Sequence, residues 1–337
     1  MAHASLSADH KALIIAPAWV GDMVMAHGLV QRLTERHAEI HIAAPPATLP
    51  LAARMREVAH SIELPLQHGA LQWGARRQIG RQLASGGYTS AYVLPNSWKS
   101  ALLPWFAGIP RRVGWLGEGR YGLLNQTRRL PKDDLPLMLE RFLALGDPDW
   151  ALPAKPYPRP ELQVDENNQQ QLQARFQLPH ERLVVLCPGA EFGPAKKWPA
   201  EHYAGLAQAL LAEGFAVCVL GSAGDRADGD QIAALAPQVI NLAGQTSLLD
   251  AVDILGLAHT VISNDSGLMH VAGALGRPVV AIFGSTSPGF TPPLGEQAQV
   301  VEQVLDCRPC FQRTCPLGHT NCLQQLQPQQ VLARLAL

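Results

Sequence analysis

The chain has 337 residues, 47% of them hydrophobic, and a formal net charge of -1, which gives material for two cores of ordinary size and excludes a disordered, strongly charged polymer. No apolar run reaches the roughly 18 to 20 residues that span a bilayer, and no basic start leads into an apolar stretch, so a cytoplasmic protein is expected. The balanced total hides an asymmetry: residues 1–160 carry 18 Lys and Arg against 12 Asp and Glu, whereas residues 161–337 carry 9 against 16. The first half therefore suits an anionic partner, or spreads its excess over a solvated surface.

Residues 1–10 read as a frayed extension, with the fold beginning at Lys11. Strands are predicted at 12–16, 40–44 and 91–94, with a weaker one near 61–64, and helices at about 23–36, 71–84 and 99–107. A stretch containing Pro148, Pro153, Pro156, Pro158 and Pro160 can continue neither ladder and reads as a linker. Beyond it, predicted strands at 183–186, 216–220, 239–242, 260–263 and 279–283 alternate with helices near 200–212, 231–236, 248–257 and 268–275. Such alternation predicts an α/β protein with two Rossmann-like, doubly wound domains, 11–160 and 161–337, facing a central cleft. Ligands in such sheets sit outside the carboxyl ends of the strands, which directs attention to the loops after Ala16, Leu94, Leu186, Leu220, Ser263 and Phe283.

The loop after Leu186 runs Cys187-Pro188-Gly189-Ala190-Glu191-Phe192-Gly193-Pro194-Ala195-Lys196-Lys197-Trp198-Pro199. Glycines at the end of a buried strand let backbone N–H groups approach an anion, and Lys196 or Lys197 adds a mobile full charge. A phosphate site and a solvated loop fit equally well, because neither G-x-x-x-x-G-K-[ST] nor a G-x-G-x-x-G after a strand occurs. Asp22 follows Gly21 at a helix start and reads either as an N-cap or as a general base. Asn264-Asp265-Ser266-Gly267-Leu268-Met269-His270 again places hydrogen-bonding side chains before a helix, with His270 either in the core or toward a ligand. The three loops would converge on one cleft.

Together, Trp19-Val20-Gly21-Asp22-Met23, Leu94-Pro95-Asn96-Ser97-Trp98-Lys99-Ser100-Ala101, Gly114-Trp115, Arg120-Tyr121-Gly122-Leu123-Leu124-Asn125, Pro188 to Pro199 and Asn264 to His270 resemble the ADP-heptose:lipopolysaccharide heptosyltransferases, most of all their heptosyltransferase II branch. The resemblance runs from about Lys11 to Pro293. It implies a GT-B fold, with the acceptor on the first domain and the nucleotide sugar on the second. The implied reaction is an inverting, metal-independent transfer of L-glycero-D-manno-heptose from ADP-heptose to the first heptose of the lipopolysaccharide inner core.

By the same resemblance, Asp22 is the general base and Lys196 the cation that meets the leaving group. Gly189, Lys196, Lys197, Asp265, Ser266, Gly267 and His270 then belong to the nucleotide-sugar site, and Asn96, Lys99 and Arg120 to the acceptor site. Asp225, after the strand ending near Leu220, binds ribose hydroxyls or caps a helix. Arg111, Arg112, Arg128 and Arg129 extend a basic cluster suited to an acceptor rich in phosphate and carboxylate; Arg76 and Arg77 either join it or line a solvated helix. The partners implied are ADP-heptose and a lipid-anchored heptosyl-Kdo2-lipid A, met at the cytoplasmic face of the inner membrane, with no nucleic acid. Leu102-Leu103-Pro104-Trp105-Phe106 reads as core rather than as a bilayer contact. A second family activity, heptosyltransferase I, and a non-catalytic nucleotide-sugar-binding protein are the alternatives; the Asp22 carboxylate argues against the latter.

Transfer is expected to need no cofactor. Four of the six cysteines fall at Cys307, Cys310, Cys315 and Cys322, where a structural zinc, a redox-sensitive pair and free thiols are comparable readings. Cys187 and Cys218 read as small buried residues. Asp147-Pro148-Asp149 and Asp228-Gly229-Asp230 follow no strand and are not expected to bind metal.

Overall fold

A computed structural model describes residues 10–67, 69–151 and 155–335. Residues 1–9 of the expected extension and Pro153 of the expected linker lie outside the described residues. The chain divides into two compact units, one ending at Pro160 and the other starting at Glu161.

The first unit contains strands β1 (Lys11–Ile15), β2 (Glu39–Ala44), β3 (Val58–Glu63), β4 (Tyr88–Val93), β5 (Arg111–Trp115) and β6 (Gln126–Arg128). Its helices are α1 (Val20–Leu33), α2 (Trp73–Leu83), α3 (Trp98–Phe106) and α4 (Met138–Leu145). The strands form one sheet in the order β3-β2-β1-β4-β5-β6, and every pairing is parallel. From β1 the chain winds outward to β3, then returns to lay β4 against the other side of β1. That reversal makes the β1/β4 boundary a topological switch point.

The second unit opens with α5 (Glu166–Phe176) and contains β7 (Leu183–Cys187), α6 (Ala200–Ala212), β8 (Ala216–Val219), α7 (Arg226–Leu235), β9 (Ile240–Asn241), α8 (Leu248–Leu257), β10 (Thr260–Asn264), α9 (Gly267–Ala274), β11 (Val279–Phe283) and β12 (Ala298–Glu302). The order β12-β11-β10-β7-β8-β9 is again parallel throughout, with its switch point between β7 and β10. β7, β10 and β11 are buried along their whole length, which is why β7 and β11 read in sequence as unbroken apolar runs, whereas β10 carries Thr260, Ser263 and Asn264 into the interior. Short helices α10 (Asn321–Gln324) and α11 (Pro328–Leu332) close the unit, and Leu323, Leu326 and Val331 enter the core built on α6 and β7.

Three strands escape sequence periodicity for identifiable reasons. β5 begins with two arginines and contains a glycine, β6 is a three-residue polar edge, and β12 is an edge strand buried mainly at Val301. Four helices are likewise unmarked: α5 is almost wholly polar, α4 lies in a leucine-rich run whose N-cap residue, Leu137, has no capping side chain, and α10 and α11 have only 4 and 5 residues. Among the described residues no helix is long and apolar enough to cross a membrane.

Trp198 anchors the second core. It is 2% exposed, meets the Tyr203 ring edge-on at 4.8 Å, and donates its indole N–H to the Leu326 carbonyl at 2.8 Å. Trp198→Ala is expected to destabilise this unit by about 3–5 kcal/mol, measured as a shift of its transition in chemical denaturation.

Candidate active site

In the second unit the sequence-predicted residues meet at the β7/β10 switch point. The buried side chain of Asn264, last residue of β10, fastens the two loops together. Its amide donates to the Pro188 carbonyl at 2.5 Å, while its oxygen accepts from the Trp198 N–H at 3.2 Å and the Tyr203 hydroxyl at 3.1 Å. Burial raises the Tyr203 phenol well above its ordinary range, so it remains a donor. Sequence reasoning favours the neighbours of Asn264; an amide at the end of a fully buried strand is marked only by its burial, which the structure supplies.

Lys196 lies in this clasp. Its ammonium donates to Asp265 Oδ2 at 2.5 Å and stands 5.0 Å from the centre of the Phe192 ring. The same carboxylate oxygen accepts from the Thr286 hydroxyl at 2.5 Å. Thr286, on the loop after β11, is a further site residue that sequence reasoning missed, since nothing local marks it. Ser266 Oγ lies 3.0 Å from Ser263 Oγ at the start of α9, where Gly267 is the first helical residue. His270 is buried one turn further along, and its Nδ1 has no hydrogen-bond partner. Burial pushes its pKa down to about 4, against a smaller upward pull from Asp265. The imidazole is therefore neutral at physiological pH.

Lys197 turns the other way. Its ammonium pairs with Asp228 at 2.7 Å and Asp225 at 3.3 Å, and these carboxylates hold its pKa above the usual lysine value against the opposing effect of burial. Asp225 also accepts from the backbone N–H of Ser222 at 3.0 Å and its hydroxyl at 2.8 Å, so the cap reading of Asp225 is the one its contacts display. Gly189 is required by this packing: a Cβ there would collide with the Asp225 carboxylate. The two adjacent lysines thus serve different neighbours, Lys196 the α9 loop and Lys197 the α7 loop.

The C-terminal tail braces the lysine loop from outside. Ala195 N–H donates to the Arg313 carbonyl at 3.0 Å, and Phe311 N–H to the Ser285 carbonyl at 2.8 Å. Arg308 donates to the Gly284 carbonyl at 2.6 Å and the Thr286 carbonyl at 3.1 Å, which fixes the loop that carries Thr286. The cysteines drew attention in sequence, yet these contacts come from the residues between them. Cys307, Cys310, Cys315 and Cys322 are free thiols, and no group of three His, Cys, Asp or Glu side chains among the described residues could hold a metal ion. Cys315 instead accepts backbone N–H groups of its own turn, from Leu317 to Thr320, which lower its pKa. Cys187 and Cys218 are fully buried strand residues whose thiols burial pushes upward, to about 12 for Cys218.

In the first unit the candidate residues stand at the β1/β4 switch point. Asp22 is partly exposed in the first turn of α1, but the cap position itself falls on Trp19, so the N-cap reading of Asp22 does not hold. Asn96 is exposed in the turn after β4, and Lys99 is the second residue of α3. Because β1 and β4 are paired neighbours, these two loops open side by side.

Arg120 requires correction. Expected in the acceptor site, it is 1% exposed and donates to the backbone carbonyls of Pro95 at 2.6 Å and Trp115. Burial lowers its pKa to about 10. Its work is to hold the loop that presents Asn96. Arg112 is likewise turned inward, to the carbonyls of Leu123 and Ile109, and Arg76 to those of Leu71 and Lys99. The two Asp-x-Asp sequences are also engaged internally, Asp147 by Arg32 and Asp228 by Lys197.

The buried His270 generates a pH prediction. An unfolded histidine titrates near 6.5 and the folded one near 4, so between those values the unfolded chain binds more proton. Stability is then fully present above about pH 6.5 and is lost as pH falls toward 4. Replacing His270 by Gln should remove on the order of 3 kcal/mol of this acid loss. Denaturation of wild type and variant at pH 7 and pH 4 measures the difference; equal losses would overturn it.

The model of Glycosyltransferase family 9 (heptosyltransferase) matches residues 76–321. Lipopolysaccharide heptosyltransferase 2 of Salmonella typhimurium is 46% identical, over 96% of this chain and 97% of that protein. The solved E. coli ADP-heptose LPS heptosyltransferase II superposes with a TM-score of 0.85 at 42% identity, covering 96% of this chain and 97% of that one. A family 9 glycosyl transferase of Veillonella parvula shares the fold, with a TM-score of 0.84 at 17% identity over 98% of each chain. With two parallel Rossmann-like sheets and these relatives, the chain belongs to glycosyltransferase family 9, the heptosyltransferases, and has their GT-B fold.

Proposed function

We propose that this protein moves L-glycero-D-manno-heptose from ADP-heptose to the first heptose of the lipopolysaccharide inner core, with inversion and without a bound metal. The observation that carries this reading is the Lys196 ammonium, held by Asp265, which Thr286 supports in turn, two residues before the start of α9. The resemblance to lipopolysaccharide heptosyltransferase 2 over nearly the whole chain supplies the sugar and the acceptor class.

Glycosyl transfer from a nucleoside diphosphate sugar needs two charges managed. The acceptor hydroxyl loses a proton as it attacks the anomeric carbon, and Asp22 is the carboxylate that takes it. The departing ADP gains negative charge, met by Lys196 and by the free N–H groups at the start of α9. In this reading the pyrophosphate replaces Asp265 as the partner of Lys196, which frees the Asp265 carboxylate for sugar hydroxyls. Neutral His270 lends shape to that pocket without competing for the phosphate charge. Inversion in a single displacement requires no carboxylate nucleophile, in keeping with one candidate base.

The first unit is the acceptor side, with Asn96 and Lys99 meeting the anionic inner core, and the second is the donor side. The acceptor is lipid-anchored and is reached at the cytoplasmic face of the inner membrane. No cofactor enters the transfer, and the cysteine-containing tail serves as a brace for the lysine loop through Arg308, Phe311 and Arg313.

Asp22→Asn should retain ADP-heptose binding while transfer falls by at least about 100-fold, the lower range for general-base loss. Unchanged turnover would sink the assignment. Lys196→Ala should cost at least about 2 kcal/mol in kcat/KM, and a defect confined to acceptor affinity would contradict its role at the leaving group. Transfer assays with ADP-heptose and core acceptors carrying or lacking the first heptose test the reaction as a whole; use of the acceptor without heptose would point to the first-heptose activity instead.

A further inference from the structure

The first unit carries an aromatic surface that the transfer chemistry leaves unused. Trp73 is 47% exposed and Trp105 43%, although tryptophan is among the side chains best stabilised by burial. Both meet the Phe106 ring edge-on, at 5.2 and 5.0 Å between centres, so the three rings form one patch. Leu71, 41% exposed, precedes α2, and Trp98 lies seven residues before Trp105, two turns away on the same side of α3. The run 102–106 thus divides: Leu102, Leu103 and Pro104 are core, whereas Trp105 faces out.

The patch is held in place. Buried Arg76 donates to the Leu71 carbonyl at 2.6 Å and the Lys99 carbonyl at 3.2 Å, pinning the approach to α2 against the first turn of α3. Gly80 lets the two helices touch, since a Cβ there would collide with Phe106.

Its charge is mainly positive. From residue 64 to residue 117 the sequence has no Asp or Glu, while Arg77, Arg81, Lys99 and Arg111 carry positive charge there; Arg76 and Arg112 are turned to backbone carbonyls. Arg77 and Arg81 follow Trp73 at helical spacing and line a shallow open groove on the exposed side of α2 with Gly74, Gln78 and Gln82. Tryptophan beside arginine, with the Glu118 carboxylate on the Trp98 backbone N–H as its acidic neighbour, is the composition that settles at the headgroup level of a bilayer. A second copy docking through the same face would oppose these arginines mainly with arginines, Glu118 being the acidic group at the start of α3, so self-association is disfavoured.

We propose that the face formed by α2 and α3 docks on an anionic phospholipid bilayer, with Trp73 and Trp105 at headgroup depth and Arg77 and Arg81 on lipid phosphates. This deepens the reading of a lipid-anchored acceptor, on which it rests for its purpose. Its surface chemistry stands whichever sugar is transferred.

The full chain is tested by co-sedimentation with vesicles of phosphatidylethanolamine and phosphatidylglycerol containing no lipopolysaccharide, against vesicles of phosphatidylcholine alone. Wild type should bind the anionic vesicles, with a blue shift of tryptophan emission that needs no variant to observe, and binding should weaken with salt. Trp73→Ser with Trp105→Ser, and separately Arg77→Gln with Arg81→Gln, should each lower vesicle affinity by about ten-fold. The tryptophan double variant should keep its activity on a soluble deacylated acceptor and lose it on the same acceptor embedded in vesicles. Failure of wild type to bind, or variants that bind like wild type, would overturn the docking face. A wild-type dimer abolished by the tryptophan changes, without vesicle binding, would assign the face to self-association instead. Loss of transfer with vesicle binding intact would sink the activity and leave the docking face standing.

Discussion

The second unit depends on one buried amide. Asn264 ends β10 where the sheet reverses direction, and its side chain spans to the loop after β7, taking the Pro188 carbonyl, the Trp198 N–H and the Tyr203 hydroxyl together. An amide suits this place because it donates and accepts at once without a charge to bury. From that clasp follow the path of the lysine loop, the seating of Trp198 in the core and the closeness of Lys196 to Asp265. The site is assembled by backbone groups that would otherwise lie unsatisfied at the ends of buried strands.

The charges there are arranged in exchangeable pairs. Lys196 is nearly buried and tolerates this because Asp265 neutralises it, while Asp265 is supported by Thr286. In the proposed reaction a pyrophosphate would offer the lysine a stronger partner than a carboxylate does, and the ion pair would then hold the place of a ligand. Lys197, with two carboxylates of its own near α7, is committed to holding that helix start against the loop. Adjacent identical residues thereby acquire different duties from the direction each side chain leaves the backbone.

Much of the fold was legible because parallel strands buried on both faces are predominantly apolar, as β7 and β11 are throughout and β1 is after Lys11, and because helices such as α6, after Pro199, and α8, after the Ser247 cap, begin on clear signals. The elements that were not legible are those whose stability comes from neighbours: β5, which carries two arginines into the sheet, polar β6 at one edge and β12 at another. Arg120 shows the same limit at the level of a single side chain. A basic residue amid other basic residues looks like an acceptor ligand, yet this one is folded inward to satisfy the carbonyls of Pro95 and Trp115. Thr286 was invisible for the opposite reason, being an ordinary residue made important only by the 2.5 Å approach of Asp265.

The sequence by itself determined the α/β class, the two halves, the loops that bear the chemistry and, through motif resemblance, the family. Those properties follow from local patterns: hydrophobic runs, glycines after strands, and charged residues at fixed offsets from them. Only the tertiary structure decided which of two lysines faces Asp265, that Asp22 lies inside a first helical turn, that Arg76 and Arg120 are internal, and that Trp73 and Trp105 share a surface with Phe106. Each depends on which strand becomes whose neighbour in the sheet or how one helix lies on another, and contacts between residues far apart in the chain leave no periodic trace in it.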